Sequence, residues 1–173
     1  MTAAATPASA LTAAQLVSFL GGGGTPGRLP QSAVDADRAT IWSTLTDYDH
    51  LAGFIPGMSS SRTVSRNGAD AIVEQKGSAG LGPFRQGFTV LLAVREELNQ
   101  SISASGIGGD FRGFQSRYEI VPIGSHRARI VYQATLVPGM FVPPVVGLLE
   151  IRSMIGGQFN ALLEEIQRRA EAA

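Results

Sequence analysis

The sequence predicts an α+β fold: a curved, antiparallel, seven-stranded sheet wrapped around one long C-terminal helix, with two short helices after the first strand. Three observations carry the prediction. Apolar residues recur at helical spacing before Pro56-Gly57 and alternate with polar ones after it, so the period changes from near 3.6 to 2. Six alternating runs then follow one another across short turn sequences, which makes consecutive strands antiparallel. The chain closes on a helical pattern over residues 145–170, whose apolar stripe is long enough to cover the sheet's apolar face. A curved sheet gripping one helix is the helix-grip arrangement.

The elements are read in order. Residues 1–27 form a flexible tail, low-complexity over 1–10, in which Thr12 can cap a short helix over 13–20, ended by Gly21-Gly22-Gly23-Gly24. The domain proper spans 28–173. Its first strand lies over 28–34, with Pro30 marking an edge or a strand start. Asp35 or Asp37 caps the next helix, which presents Ile41, Trp42 and Leu45 on one face. Asp47-Tyr48-Asp49 breaks that helix, Leu51 to Ile55 makes a second apolar turn, and Pro56-Gly57 stops it. Strands are expected over 60–66, 71–76, 84–96, 101–107, 111–121 and 127–137, parted by turns such as Asn67-Gly68, Asn99-Gln100 and Gly124-Ser125.

Strand parity separates the two faces. Phe84, Phe88, Val90, Leu92 and Val94 share one side of the fourth strand. Phe114, Tyr118 and Ile120, with Ala128, Ile130, Tyr132, Ala134 and Leu136, make the inner face of the last two, leaving Arg112, Arg117, Arg127 and Arg129 outside. Pro143-Pro144 precedes the long helix, whose stripe is Leu148, Ile151, Ile155, Phe159, Leu162 and Ile166. Gly156-Gly157 interrupts it, an arrangement that implies either close packing on the sheet or clearance for a guest.

Composition narrows the function. At 173 residues the chain is one domain with a tail, large enough for a core and a pocket. Fourteen basic residues balance fourteen acidic ones, and no basic block is longer than two, so nucleic acid is not an expected partner. There is no cysteine, and two separated histidines do not make a metal site. No apolar run reaches the ~20 residues of a membrane span. The N-terminus lacks the positive start of a signal peptide, so it reads as a retained tail on a protein of the cytoplasm or the membrane periphery. Gly106-Ile107-Gly108-Gly109 lacks the strand–helix context of a phosphate loop and reads as a hairpin turn, and no cofactor is expected.

Several segments carry a family resemblance. Residues 46–58, Thr46-Asp47-Tyr48-Asp49-His50-Leu51-Ala52-Gly53-Phe54-Ile55-Pro56-Gly57-Met58, resemble the helix–turn–helix brace of START-like (SRPBCC) domains, most closely the polyketide cyclase/coenzyme-Q-binding branch. Gly109-Asp110-Phe111-Arg112-Gly113-Phe114 is similar to another segment of that branch, where relatives often carry a tryptophan. Val73-Glu74-Gln75 and the stretch from Leu136 to Pro144 resemble its third strand and its strand-to-helix loop. The resemblance covers roughly residues 30–170. It implies a sheet around a hydrophobic cavity whose occupant defines the function, since one scaffold hosts many functions.

The expected ligand-binding residues are Phe88, Val90, Leu92, Phe114, Tyr118, Tyr132, Met140, Leu148, Arg152, Ile155 and Phe159. The expected partner is a hydrophobic small molecule: a lipid, an isoprenoid quinone or a polyketide. Arg152 borders the helix stripe, where a charge needs a partner, either a ligand oxygen or an acid such as Glu74 or Glu119. If the chain is instead an aromatase/cyclase, a group must polarise a ketone and a base must take an α-proton, and Arg152, Tyr118 or Tyr132, and Glu74 are the candidates. A third option is a partner-binding module that docks through the N-terminal helix. Asp47, Asp49 and His50 invite a catalytic reading, but two Asp residues on a turn more often cap and terminate helices.

Overall fold

A computed structural model describes residues 31–80, 83, 85–138 and 146–173, and for residues 138, 146–149, 151 and 152 the backbone only. The elements run β1 (Gln31–Val34), α1 (Arg38–Leu45), a 3-10 helix (Tyr48–Gly53), β2 (Met58–Asn67), β3 (Asp70–Ala79), β4 (Gln86–Glu97), β5 (Ser101–Gly109), β6 (Phe111–Gly124), β7 (Arg127–Pro138) and α2 (Val146–Glu171). The expected helix over 13–20, the start of the first expected strand and Phe84 lie outside the described residues.

The sheet is antiparallel throughout, in the order β1-β7-β6-β5-β4-β3-β2. Hairpin succession makes β2 through β7 neighbours, while β1 pairs with β7 from Gln31↔Val131 to Val34↔Ala128. Strands adjacent in sequence, β1 and β2, therefore sit at opposite edges. The brace between them, α1 and the 3-10 helix, has to cross the width of the sheet. With α2 it covers the inner face, giving the α+β helix-grip fold.

Packing follows the predicted stripes. Phe159, Leu162 and Ile166 of α2 are buried in one cluster with Ile41 and Leu45 of α1 and with Val73, Val94, Ile120 and Ile130 of the sheet. Ile41, Ile130 and Ile166 are fully buried, each contributing about 1.5–3 kcal/mol of apolar burial. Trp42 and Phe54 pack on the same cluster half-exposed.

The acidic residues of the brace are structural. Asp37, not Asp35, caps α1, accepting from the Thr40 amide at 2.7 Å; Asp35 pairs with Arg127 at 3.2 Å. Asp49 holds β2 through the Thr63 amide at 2.7 Å and hydroxyl at 3.1 Å. Asp47 accepts from Arg169 on the last turn of α2 at 2.9 Å and lies 2.6 Å from the His50 ring. Burial pushes the Asp47 carboxyl up, but the bonds from His50 and Arg169 outweigh it and hold the group below its ordinary value. Glu165 binds Arg168 and Arg169 as well, at 2.7–2.8 Å. Brace and helix are thus clamped at one end.

Two glycine positions are required by close approach. A Cβ on Gly77 would sit 2.6 Å from the Gly57 carbonyl oxygen, which accepts from the Ser78 amide at 2.9 Å, and Gly57 itself has φ +78°. Gly109 has φ +100°, and a Cβ there would overlap the Thr89 backbone. Gly106-Ile107-Gly108-Gly109 is accordingly the end of β5 rather than a turn. Ile107 is the extra residue where Leu91↔Gly108 gives way to Leu92↔Gly106.

Both expectations for Gly156-Gly157 need correction. The two glycines are exposed, and a Cβ on either meets nothing within 4 Å. They lie on the flanks of α2 turned from the sheet, because Met154, Ile155, Gln158 and Leu162 take the inward positions.

Candidate functional site

Between the inner face of the sheet and α2 lies a cavity of about 170 Å³. Parity on the strands determines which side chains reach it. Val90, Leu92 and Val94 of β4, Ile102 and Ala104 of β5, Phe114, Ser116 and Tyr118 of β6, and Tyr132, Ala134 and Leu136 of β7 all point inward. The brace closes one end with Leu45, Tyr48, Leu51 and Ile55. Met154, Ile155, Gln158 and Leu162 of α2 form the roof, and Gln158 reaches the Pro56 carbonyl at 3.4 Å.

Aromatic rings occur in two groups. Phe88 and Phe111 lie 5.3 Å apart between centroids, with Phe114 6.5 Å from Phe111. Tyr118 and Tyr132 are cross-strand partners with centroids 4.4 Å apart, and Phe159 stacks on Tyr132 at 6.3 Å. Burial pushes the Tyr118 hydroxyl well above its ordinary pKa, helped by Tyr132. The Tyr132 hydroxyl is pushed up to about 12 by burial, with Ser116 beside it pulling the other way. Both phenols are neutral at physiological pH and retain an O–H donor and an acceptor.

Tyr48 marks the clamped end. Its hydroxyl donates to Glu96 at 2.7 Å, and Arg66 grips the same carboxylate through two bonds of 3.0 Å. This group seals the end of the grip with paired charges and exposes none of them to the cavity lining.

Of the expected site residues, Phe88, Val90, Leu92, Phe114, Tyr118, Tyr132 and Ile155 line the cavity. Phe159 stands behind Tyr132 in the core. Met140 lies outside the described residues, as do the side chains of Leu148 and Arg152, whose backbone belongs to α2. Glu74 is a correction: it is bound on the outer face by Arg62 at 2.9 Å and Lys76 at 3.7 Å, while Val73 and Gln75 take the inward positions of β3. Glu119 likewise pairs outward with Arg117 at 3.0 Å. Neither acid faces the cavity. Among the described lining residues there is no Asp, Glu or His; Lys76 is the only charged one, and its ammonium group lies on the outer face beside Glu74.

Sequence reasoning missed Tyr48, Leu51, Phe111, Ser116 and Gln158 as lining residues. Parity with Phe114 and Tyr118 was a usable signal for Ser116. No sequence signal places the brace residues, which reach the cavity only because β1 and β2 lie at opposite edges.

Comparison with known proteins agrees with this architecture. Residues 34–156 match the family model described as polyketide cyclase / dehydrase and lipid transport. The Zhui aromatase/cyclase from Streptomyces sp. R1128 superposes with a TM-score of 0.70 at 14% identity, covering 81% of this chain and 92% of that one. A START superfamily protein from Mycobacterium smegmatis gives 0.64 at 18% identity, covering 83% and 95%. A STAR-related lipid transfer protein from Xanthomonas axonopodis gives 0.62 at 12% identity, covering 79% and 83%. At these identities the structures speak for the fold alone, and no curated protein matches the chain significantly in sequence. With the family model spanning most of the domain, the chain belongs to the polyketide cyclase / dehydrase and lipid transport family.

Proposed function

We propose that this chain binds a hydrophobic small molecule, such as a lipid, an isoprenoid quinone or a polyketide, in the cavity between sheet and α2. The observation that carries the reading is the lining: aliphatic and aromatic side chains on every wall, with neutral hydroxyl and amide groups as the main polar contacts. Each methylene transferred from water contributes about 0.8 kcal/mol, so affinity needs no elaborate polar site. The family description and the printed names of the aromatase/cyclase and the lipid transfer protein support the same class of guest.

A second reading is cyclase chemistry. Tyr118 and Tyr132 offer O–H groups that polarise a ketone. The reaction also needs a base, and the described lining supplies no carboxylate or imidazole, so binding is the reading preferred. Native mass spectrometry of the purified protein, followed by organic extraction, should release a hydrophobic guest. A protein that emerges empty, and whose melting temperature is unmoved by a panel of lipids, quinones and polyketides, overturns the binding reading.

A further inference from the structure

The register of the sheet explains where the hollow comes from. Reading across the strands, Val94 pairs with Ala104, Ala104 with Ser116, and Ser116 with Ala134. Ala71 continues the row beyond Val94. Apart from Val94, this row of the inner face carries only small side chains. The row on one side holds Ile102, Tyr118 and Tyr132; the row on the other holds Leu92, Phe114 and Leu136, with Gly106 as a gap between Leu92 and Phe114. Large residues stand on both flanks of a small-residue floor, interrupted on one side only at Gly106.

The dimensions follow from sheet geometry. Ala104, Ser116 and Ala134 lie on three adjacent strands spaced about 4.8 Å apart, so the floor is about 10 Å long. The flanking rows are two residues away along each strand, about 7 Å on either side before side-chain thickness is subtracted. What remains is a slot, flat and narrow, with the Ser116 hydroxyl on its floor and the Tyr132 hydroxyl on its wall. The whole cavity, about 170 Å³, is close to the ~150 Å³ of an apolar protein cavity that holds one benzene ring.

Resting on the binding reading above, we infer that this slot takes a single planar ring bearing a hydroxyl or carbonyl. The ring lies over Ala104, Ser116 and Ala134, its oxygen is held by Ser116 and Tyr132, and any aliphatic substituent runs toward Phe88 and Phe111. Tyr118–Tyr132 on one flank and Phe114 on the other offer the offset or edge contacts that aromatic guests prefer. Row composition, rather than any catalytic motif, sets ring size; the two hydroxyls set ring polarity.

The test is calorimetric binding of 4-ethylphenol, ethylbenzene and palmitate to the full chain and its variants. The phenol should bind tighter than ethylbenzene by roughly two- to tenfold, the worth of one or two net hydrogen bonds. Combined Ser116→Ala and Tyr132→Phe substitution should remove that preference while ethylbenzene still binds. Ala134→Leu should fill the slot and abolish binding of both rings; if that variant does not fold, Ala104→Val should weaken both. Palmitate binding without either ring overturns the slot and leaves the binding reading standing. A phenol preference that survives the double substitution overturns the assignment of Ser116 and Tyr132. Failure of all three probes counts against both readings.

Discussion

Glu165→Gln should loosen the clamp between brace and helix. Glu165 is buried, with 9% of its side chain exposed, and binds both Arg168 and Arg169; Arg169 also holds Asp47 and lies over the Phe54 ring at 5.6 Å. The hydrogen bond from Arg168 is the largest cause that lowers the Glu165 carboxyl, and with Arg169 it overcomes burial to bring the group from 4.5 to about 2. At about 1.4 kcal/mol per pH unit, that shift corresponds to roughly 3 kcal/mol. Because Arg168 is 68% exposed and screened by water, the expected cost is nearer 1.5–3 kcal/mol. For a chain of this length the melting temperature should fall by roughly 4–10 °C at pH 7. The native pKa lies below the unfolded one, so this stabilisation is complete above about 4.5 and vanishes as the pH falls through about 2. Thermal denaturation of parent and variant at pH 7, 5 and 3 reads the difference, which should shrink by roughly half at pH 3. A variant melting within about 1 °C of the parent at pH 7, or a gap that stays constant down to pH 3, would refute the reasoning.

The remaining predictions concern the frame around the cavity. Gly156→Ala and Gly157→Ala should each stabilise the protein by about 0.5–1 kcal/mol, since both positions are exposed, helical and open to a Cβ; urea denaturation showing a loss would mean that the glycines serve a contact. Ile130→Ala, at a fully buried position of β7, should cost about 2–5 kcal/mol in the same assay, and a cost below about 1 kcal/mol would show that this wall is loosely packed.

Much of the fold was legible because it depends on local chemistry. The break at Pro56-Gly57, the alternation through β4, β6 and β7 and the stripe of Phe159, Leu162 and Ile166 are period and turn signals that survive into the structure. Asp47 and Asp49 are structural as expected but not as helix caps: Asp47 makes no capping bond and pairs with Arg169 and His50, and Asp49 binds Thr63, and Arg169 and Thr63 are too distant in sequence to be foreseen. Glu74 was misplaced because a candidate acid was chosen by type before its parity with Val73 and Gln75 was applied. The site was less legible than the fold. Parity tells which face a side chain takes, but not whether a partner fills the space in front of it.

The elements, their inward faces and a container of apolar lining were legible from local signals alone, because hydrophobic period and turn residues act within a few positions along the chain. Long-range pairing, by contrast, was needed to align Ala104, Ser116 and Ala134 in one row and to bring the brace against one end of the cavity. Row alignment depends on cross-strand register, and the register of β6 on β7 is reset at the Pro122/Gly124 irregularity, where one extra residue shifts every later partner, Ser116↔Ala134 included.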